Sequence, residues 1–384
     1  LFELEKKTVL LAAPTGRAAK RMSQATGYEA KTIHRLLEVQ GAADDEEEAH
    51  FGKNEDDPLE ADVVIVDEMS MVDTTIMYAL LKAVVPGTKL ILVGDEDQLP
   101  SVGPGKVLKD IIDSEMFRVV KLDRIFRQAM ESAIIKNAHL INKGEKIDLV
   151  HKTRDFFLLE RNMTEEAAGL IVALIRDKLP HNLKVKPFDI QVLCATRKGD
   201  LGVVRLNNVL QRYLNPAAQS KREHQRGDTI FREGDKVMQI KNDYKLEWEI
   251  CGRNGMVIEQ GTGVFNGDVG VIDKVDPFAG ELTVKFDDDR KIVYPFNQTD
   301  ELELAYAVTV HKSQGSEYPA IIMPVLAIPG RLFNRNILYT AVTRAKTCVV
   351  LVGSGNAVQN MIKNEDENKR FTGLKEHLEE TDFR

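Results

Sequence analysis

The chain has 384 residues, a length that favours two or three domains over one core. Its 43% hydrophobic and 29% charged residues are typical of a globular protein, and its apolar runs are too short for a membrane helix. The net charge of −8 argues against a molecule that is basic overall, as many nucleic-acid binders are, but clusters of arginine and lysine allow a local positive groove.

The amino terminus and the cysteines predict a cytoplasmic protein. The first residues lack the basic-then-apolar pattern of an export signal. Cys194, Cys251 and Cys348 are far apart and lie in or near apolar segments, which is typical of reduced core residues and not of a disulfide frame or a zinc site. The acidic tail from Glu365 onward is expected to be solvated.

Short runs rich in valine, isoleucine and leucine recur along the chain and end abruptly in glycine or polar residues. They are Thr8–Ala13, Asp62–Val66, Lys89–Val93, Ile190–Ala195, Ala320–Val325 and Cys348–Val352. Amphipathic stretches such as Thr74–Val85 and Glu131–Asn142 lie between them. This alternation predicts an α/β fold with parallel strands buried on both faces, in which ligands bind at the carboxyl ends of the strands.

A different pattern extends from about Asp228 to Pro295, where glycines and aspartates separate short alternating strands. The predicted strands are Asp235–Ile240, Gly270–Val275, Leu282–Phe286 and Arg290–Tyr294, with Asp287–Asp289 as a hairpin turn. We expect a small β-barrel or meander inserted into the second α/β domain.

Two carboxylates, Asp67 and Glu68, directly follow the apolar run that ends at Val66. In nucleotide-hydrolysing sites one carboxylate after a buried strand holds the magnesium shell and its neighbour polarises the attacking water. A strand end capped by solvated acids is the alternative. The four apolar residues directly before the pair favour the functional interpretation.

Gln98 lies in the segment Gly94–Pro100, after the next predicted strand. A glutamine amide can contact a γ-phosphate through its donor and acceptor atoms. An ordinary polar turn is the alternative, since glycine and proline bound the segment.

Arg127 and Arg344 are candidate arginine fingers. A planar guanidinium neutralises the charge that builds on a transferring phosphoryl group. Most arginines are surface residues with buried stems, so context alone distinguishes these two. We expect Arg344 and Lys346 on the first turn of a segment that packs against a sheet.

Two stretches, Ala13–Lys20 and Thr309–Ser316, combine hydroxyls, cations and glycine next to predicted strands. This composition suits contacts to phosphate and sugar along a single strand of nucleic acid. Thr32 and His34 extend the first stretch, although a lone histidine is more often a capping or core residue.

Six motifs occur in order: APTGRAAKRM, VIVDEMSM, LVGDEDQLPSVGPG, LDRIFRQ, AYAVTVHKSQGSEY and LYTAVTRAK. Together they resemble the superfamily-one DNA helicases, closely the RecD-like branch related to the alpha subunit of exodeoxyribonuclease V, from about Thr8 to Gly353. The resemblance implies two RecA-like parallel-sheet lobes with ATP and Mg²⁺ between them and single-stranded DNA across their tops. It places the first lobe, in truncated form, at residues 1–115, the second at 116–230 and 296–384, and an SH3-like β subdomain at 231–295.

The resemblance also assigns roles to residues. Asp67 would hold magnesium, Glu68 would activate water, Gln98 would contact the γ-phosphate, Arg127 and Arg344 would be the fingers, and Gly315 would lie at the nucleotide. The DNA contacts would be Pro14, Thr15, Arg17, Thr32 and His34 on the first lobe, and Thr309, His311, Lys312, Ser313 and Gln314 on the second.

One part of the family pattern is absent from the sequence. No glycine-rich loop ending in Gly-Lys-Thr or Gly-Lys-Ser occurs, and Leu1–Lys7 looks like the end of the helix that follows such a loop. We therefore expect a carboxy-terminal fragment that does not hydrolyse ATP by itself, because the backbone cradle and lysine for the β- and γ-phosphates are missing.

The leading hypothesis is that the parent protein is an ATP-driven 5′ to 3′ DNA helicase or translocase of DNA repair and recombination, with the polarity taken from the resemblance alone. We expect a monomer that binds single-stranded DNA, with subunits of a nuclease complex as possible partners. A non-hydrolysing DNA-binding subunit of a nuclease assembly and an RNA-directed motor are the alternatives.

Overall fold

A computed structural model describes residues 2, 4–40, 50–122, 131–151, 153–252, 254–326, 333–365, 370 and 372–381. The described residues form two compact units. The first is drawn from Leu1–Met130, Gln314–Ser316 and Glu365–Arg384, and the second from Glu131–Ser313 and Glu317–Asn364. Within the described ranges, every helix is too short or too polar to cross a bilayer.

The first unit contains a sheet of four parallel strands. The strands are β1 (Val9–Ala13), β2 (Ala30–Thr32), β5 (Val63–Val66) and β6 (Lys89–Leu92), in the order β2-β1-β5-β6. A short antiparallel pair, β3 (Val39–Gln40) and β4 (His50–Phe51), lies between β2 and β5 in sequence. The helices are α1 (Gly16–Thr26), α2 (Ile33–Leu36), α3 (Thr74–Ala83), α4 (Val107–Asp113) and the late helix α11 (Leu374–Glu380).

The second unit contains five parallel strands. They are β7 (Phe156–Glu160), β8 (Ile190–Cys194), β18 (Ala307–Thr309), β19 (Tyr318–Val325) and β20 (Ala345–Gly353), in the order β18-β8-β19-β20-β7. The helices are α5 (Ala133–Asn142), α6 (Thr164–Ala173), α7 (Leu179–Leu183), α8 (Val203–Leu214), α9 (Arg335–Thr343) and α10 (Gly355–Lys363). A π-helical turn, Leu174–Lys178, connects α6 to α7.

Antiparallel strands occupy the sequence between α8 and β18. A hairpin of β9 (Glu223–Arg226) and β10 (Thr229–Arg232) precedes a seven-stranded sheet. The sheet consists of β11 (Lys236–Gln239), β12 (Asp243–Cys251), β13 (Val257–Val264), β14 (Val269–Asp276), β15 (Glu281–Phe286), β16 (Lys291–Pro295) and β17 (Leu302–Leu304), in the order β13-β12-β16-β15-β14-β11-β17. Its inward side chains, such as Ile272, Val284 and Tyr294, join the core of the second unit.

The α/β prediction with two parallel sheets and an antiparallel insertion is confirmed. The strand β5 shows why an apolar run predicts an interior strand. Val63, Val64 and Val66 are almost completely buried, and the strand is flanked by β1 and β6. The strand β7 was not predicted. It lies at the edge of its sheet and its side chains are mostly half-buried, so it lacks the all-apolar signature of an interior strand.

Candidate functional site

The acid pair lies at the carboxyl end of β5, as predicted. Asp67 continues the strand, because its N–H donates to the carbonyl of Ala12 at 2.9 Å. Glu68 turns sharply out of the sheet with a left-handed φ of 53°, and its N–H donates to Asp67 Oδ1 at 2.8 Å. A left-handed backbone is strained for a residue with a side chain, and such strain concentrates at functional sites. The turn therefore holds two adjacent carboxylates in a fixed orientation.

The carboxylates fit a magnesium ion that arrives with a nucleotide. The described residues contain no group of three histidine, cysteine or acidic side chains that could hold a metal ion. Mg²⁺ typically binds one or two protein carboxylates together with water and substrate phosphates. Asp67 suits that partial shell, while Glu68 lies 3.7 Å from the guanidinium of Arg21 on α1.

Gln98 lies in the loop after β6 and is held by Asp95. The amide Nε2 of Gln98 donates to Asp95 Oδ2 at 3.1 Å, and the N–H of Asp97 donates to Asp95 Oδ1 at 3.1 Å. Gln98 is only 9% exposed. Because one carboxylate orders both the loop backbone and the amide, the glutamine has a defined orientation at the edge of the sheet.

Arg370 fixes the continuation of this loop. Its guanidinium donates to the carbonyls of Gly103 at 2.6 Å and Gly105 at 2.9 Å, and also to the carbonyl and hydroxyl of Ser101. Thr372 donates to Asp110 on α4. The expectation of a solvated tail is therefore wrong for these two residues, since the chain after Glu365 contributes ordered contacts to the first unit.

The start of α1 contacts the segment Gln314–Ser316 within the first unit. Thr15 caps the helix, since its Oγ1 accepts from the N–H of Ala18 at 3.3 Å. Arg17 Nη1 donates to Ser316 Oγ at 2.7 Å. Gly315 has a φ of +70°, and a Cβ built there would lie 2.7 Å from Thr15 Oγ1. The glycine is required both by its backbone and by its closeness to the helix. Pro14 precedes the cap and is half-buried.

Thr32 and His34 lie at the junction of β2 and α2. Thr32 is 8% exposed, and its Oγ1 accepts from the N–H of Arg35 at 3.1 Å as the helix cap. Burial lowers the pKa of His34, and Asp73 opposes this effect without reversing it. The histidine is therefore neutral near pH 7, and the hydroxyl of Thr32 already serves the backbone.

In the second unit, Thr309 and Lys312 lie where β18 ends. Thr309 Oγ1 accepts from the N–H of Lys312 at 3.2 Å, and Lys312 Nζ lies 3.0 Å from Glu303 Oε2. The same carboxylate pairs with Arg197, which follows β8. Burial raises the pKa of Glu303, but Lys312 and then Arg197 outweigh it, so the pKa lies below its ordinary value.

The two residues beside Lys312 differ in exposure, since His311 is exposed and Ser313 is buried. Partial desolvation of the imidazole lowers the pKa of His311. Ser313 has no exposed surface, and its hydroxyl donates to the carbonyl of Val310 at 2.7 Å. This geometry gives the hydroxyl of Ser313 a structural role in closing the turn.

Arg344 ends α9 and precedes β20, so the expectation of a first-turn position is wrong. Its N–H donates to the carbonyl of Ala341 at 3.2 Å, and its own carbonyl accepts from Tyr318 at 2.8 Å. Arg344 is only 4% exposed, which is rare for an arginine. Lys346 lies on β20. Arg127, the other candidate finger, lies outside the described residues.

Three protein families match successive parts of this chain. An AAA domain matches residues 1–158, the SH3 domain of ATP-dependent RecD-like DNA helicases matches residues 206–286, and a UvrD-like helicase C-terminal domain matches residues 304–352. Two curated relatives align along 96% of the chain: the ATP-dependent RecD2 DNA helicase of Deinococcus radiodurans at 34% identity and the RecBCD enzyme subunit RecD of Mycolicibacterium smegmatis at 31%.

The chain belongs to the RecD-like DNA helicases. It spans 46% of the length of the Deinococcus relative and 66% of the Mycolicibacterium relative. The RecD-like fold also resembles the Pif1 helicase from Bacteroides solved with ADP-AlF3 and single-stranded DNA, with a TM-score of 0.51 at 20% identity over 90% of this chain and 82% of that one.

The sequence left three residues of the RecD-like chain unassigned: Arg197, Glu303 and Arg370. Arg197 follows β8 just as the assigned residues follow their strands, so the rule of strand carboxyl ends could have found it. Glu303 lies in an alternating strand and Arg370 in an acidic tail, and neither context carries a recognisable signal.

Proposed function

We propose that the natural protein is an ATP-driven helicase or translocase that moves 5′ to 3′ on single-stranded DNA. The observation that carries the proposal is the Asp67–Glu68 pair at the end of a central parallel strand, with the oriented Gln98 in the loop after the neighbouring strand. A scaffold that only binds DNA has no use for this set. Membership of the RecD-like family supports the reaction, and the polarity rests on the family resemblance.

We assign each nucleotide-binding residue one task. Asp67 binds the Mg²⁺ that accompanies ATP, and Glu68 polarises the attacking water. Gln98 contacts the γ-phosphate, and Arg127 and Arg344 stabilise the charge that develops on it. Mg²⁺ held by Asp67 would supply positive charge that offsets the charge of the phosphates. Gly315 acts near the nucleotide by keeping its segment close to Thr15.

The DNA contacts come from both units. In the first, we propose Pro14, Thr15, Arg17, Thr32, His34 and Gln314; in the second, Thr309, His311, Lys312 and Ser313. Arg17 and Lys312 are the cations of this set, so they carry the phosphate attraction. The others act through shape, backbone groups or the positions they give their neighbours, as the burial of Ser313 and the cap formed by Thr32 indicate.

We propose that this polypeptide by itself does not hydrolyse ATP appreciably. None of its residues forms the Gly-Lys-Thr or Gly-Lys-Ser end of a phosphate loop, so any such loop in the natural protein must come from outside it. DNA-stimulated phosphate release by the purified polypeptide would contradict this.

We propose that the protein acts as a cytoplasmic monomer. The three cysteines are unpaired, as expected in a reducing compartment. Association with a nuclease complex is the second candidate, since the Mycolicibacterium relative is named as a RecBCD subunit. Light scattering on the natural protein, alone and after purification from its source, separates the two.

The experiment that tests the division of roles compares two substitutions in the natural protein. Arg344→Ala should reduce ATP turnover about 10³-fold or more, as loss of an arginine finger does, while leaving DNA affinity intact. Lys312→Ala should weaken DNA binding and lower its salt slope by about 0.7. The same phenotype for both substitutions contradicts the assignment. Running the assays with DNA and RNA strands of one sequence tests the RNA-directed alternative.

A further inference from the structure

Glu303 holds two cations that follow different strands of the second unit. Lys312 Nζ lies 3.0 Å from Glu303 Oε2, and Arg197 Nη2 pairs with Glu303 Oε1. The side chains of Glu303 and Lys312 are 24% and 29% exposed, and that of Arg197 is 58% exposed. The three groups therefore meet at the surface, where a larger anion can reach both cations.

The sheet explains why these residues meet. The strands β8 and β18 run parallel as neighbours, with Cys194 opposite Thr309. Arg197 and Lys312 each follow the paired position by the same number of residues, so both leave the sheet at its carboxyl edge side by side. Ligands of parallel sheets bind at this edge.

The turn that carries Arg197 is rigid. The backbone carbonyl of Arg197 accepts from the N–H of Val204 at 3.1 Å, and Thr196 Oγ1 donates to the carbonyl of Lys198 at 2.9 Å. A Cβ at Gly202 would lie 2.6 Å from the backbone of Lys198, so the turn tolerates only glycine there. The guanidinium is thus presented from a fixed backbone.

These side chains surround a surface hollow. Its polar rim consists of Arg197, Glu303, Thr309 and Lys312, and its floor is apolar. We propose that this hollow is a subsite for one backbone phosphate of the bound strand, in which Arg197 is a further phosphate-binding residue and the Glu303 carboxylate takes the place of the phosphate when no strand is bound. This deepens the proposed function and rests on it.

The chemistry of the groups fits this exchange. A carboxylate and a phosphate both present two oxygens to a guanidinium fork, and the ammonium of Lys312 adds a point charge. Thr309 supplies a hydroxyl at the same rim. Glu303 is ionised near pH 7, since its pKa lies below the ordinary value. It therefore competes with DNA for the cations, which weakens binding and favours release of each phosphate as a motor steps.

The test measures binding of a fluorescent oligothymidylate to the polypeptide by anisotropy over a series of salt concentrations. Arg197→Gln should weaken binding about fivefold and lower the salt slope by about 0.7, the change for one phosphate contact on a single strand. Glu303→Gln should tighten binding about threefold and steepen the slope, because two cations lose their internal partner. Arg205→Gln is the matched control, since Arg205 pairs with the exposed Glu165 and Asp200 and not with Glu303 in the part of the chain that the structure describes.

The outcomes separate this proposal from the proposed function. If Arg197→Gln binds the oligonucleotide with the same affinity and salt slope as Arg205→Gln, or if Glu303→Gln weakens binding, the proposed subsite is contradicted. The proposal that the protein binds DNA is then unaffected. If the wild-type polypeptide does not bind the oligonucleotide, the proposed function fails and the subsite with it. If Arg197→Gln does not fold, Arg197→Lys takes its place in the test. Weaker binding than wild type with the same salt slope supports the subsite, and binding equal to that of wild type overturns it.

Discussion

The side-chain amide of Gln314 donates a hydrogen bond to the backbone carbonyl of Leu99 at 2.7 Å. Both residues are almost fully buried, at 5% and 4% exposure. Leu99 is the neighbour of Gln98, so this bond fixes the backbone next to the amide that we assign to the γ-phosphate. A residue that we assign to DNA is thus bonded, within the first unit, to the direct neighbour of a residue that we assign to ATP.

Replacing Gln314 with alanine should loosen the loop around Leu99. The carbonyl loses a buried donor, which destabilises a protein by about 1–3 kcal/mol. Native-state hydrogen exchange of the first unit measures the loss, with faster exchange expected at Gln98 and Leu99. Gln24→Ala, at an exposed position of α1, is the control. Equal exchange in the two variants would show that the bond contributes nothing.

Gly315→Ala should destabilise the first unit more than Gly27→Ala. Both glycines have left-handed φ angles, +70° and +77°, so both substitutions carry backbone strain of about 1–2 kcal/mol. Only at position 315 would the new Cβ also lie within 2.7 Å of Thr15 Oγ1, whereas nothing lies within 4 Å at Gly27. Exchange protection of β1 and β5 measures the difference. If the two substitutions reduce exchange protection equally, Thr15 moves away from the new Cβ without cost, and the close approach does not require glycine.

Arg370→Ala should release the loop from Ser101 to Gly105. Three carbonyls and a hydroxyl lose the hydrogen bonds that the guanidinium donates, and the loop should become a site of proteolytic cleavage. Limited proteolysis with peptide mapping checks this. Lys375→Ala is the control on the same segment, since Lys375 forms a local ion pair with Glu379, one helical turn away. An uncleaved loop in Arg370→Ala contradicts a clamping role.

The stability of the first unit should fall as the pH drops below 6.5. Burial lowers the pKa of His34 from its ordinary value of 6.5, so the unfolded chain takes up this proton at a higher pH than the folded chain. The stabilisation is therefore present above pH 6.5 and is lost as the pH falls towards the folded pKa. His34→Gln should show a smaller loss between neutral and acidic pH in urea unfolding followed by hydrogen exchange. The exposed His377→Gln should behave like wild type.

The sequence predicted the interior strands of the two parallel sheets because each contains mostly apolar residues, as in Val63–Val66 and, apart from Gln191, in Ile190–Cys194. Of the edge strands of these two sheets, β6 was predicted, whereas β2, β7 and β18 were not. The strand β7 is half-buried, and β2 consists of only three residues with a lysine at its centre. An apolar run in the sequence indicates a strand that is buried on both faces of a sheet. A strand at the edge of a sheet can be short or half-buried, and its sequence then lacks such a run.

For the candidate site, the sequence predicted which residues follow strands but not what holds them. The positions of Asp67, Glu68 and Gln98 after their strands are as predicted, and their roles stay predictions. The left-handed turn at Glu68 and the contact of Asp95 with Gln98 are local, but no residue pattern in the sequence specifies their geometry. The approach of Gly315 to Thr15 joins residues far apart in the chain, and such a contact leaves no spacing pattern in one sequence.

The most direct test of the central claim is ATP hydrolysis by the natural protein, measured with and without single-stranded DNA, for wild type and Glu68→Gln. The substitution removes the carboxylate that polarises water but keeps its size, so we predict a DNA-stimulated rate in wild type that falls about 10²–10⁴-fold, with unchanged DNA affinity. Glu60→Gln, at an exposed position of the same unit, should keep the wild-type rate. The account is contradicted if DNA does not increase the rate of ATP hydrolysis by the wild-type protein, or if Glu68→Gln hydrolyses ATP as fast as wild type.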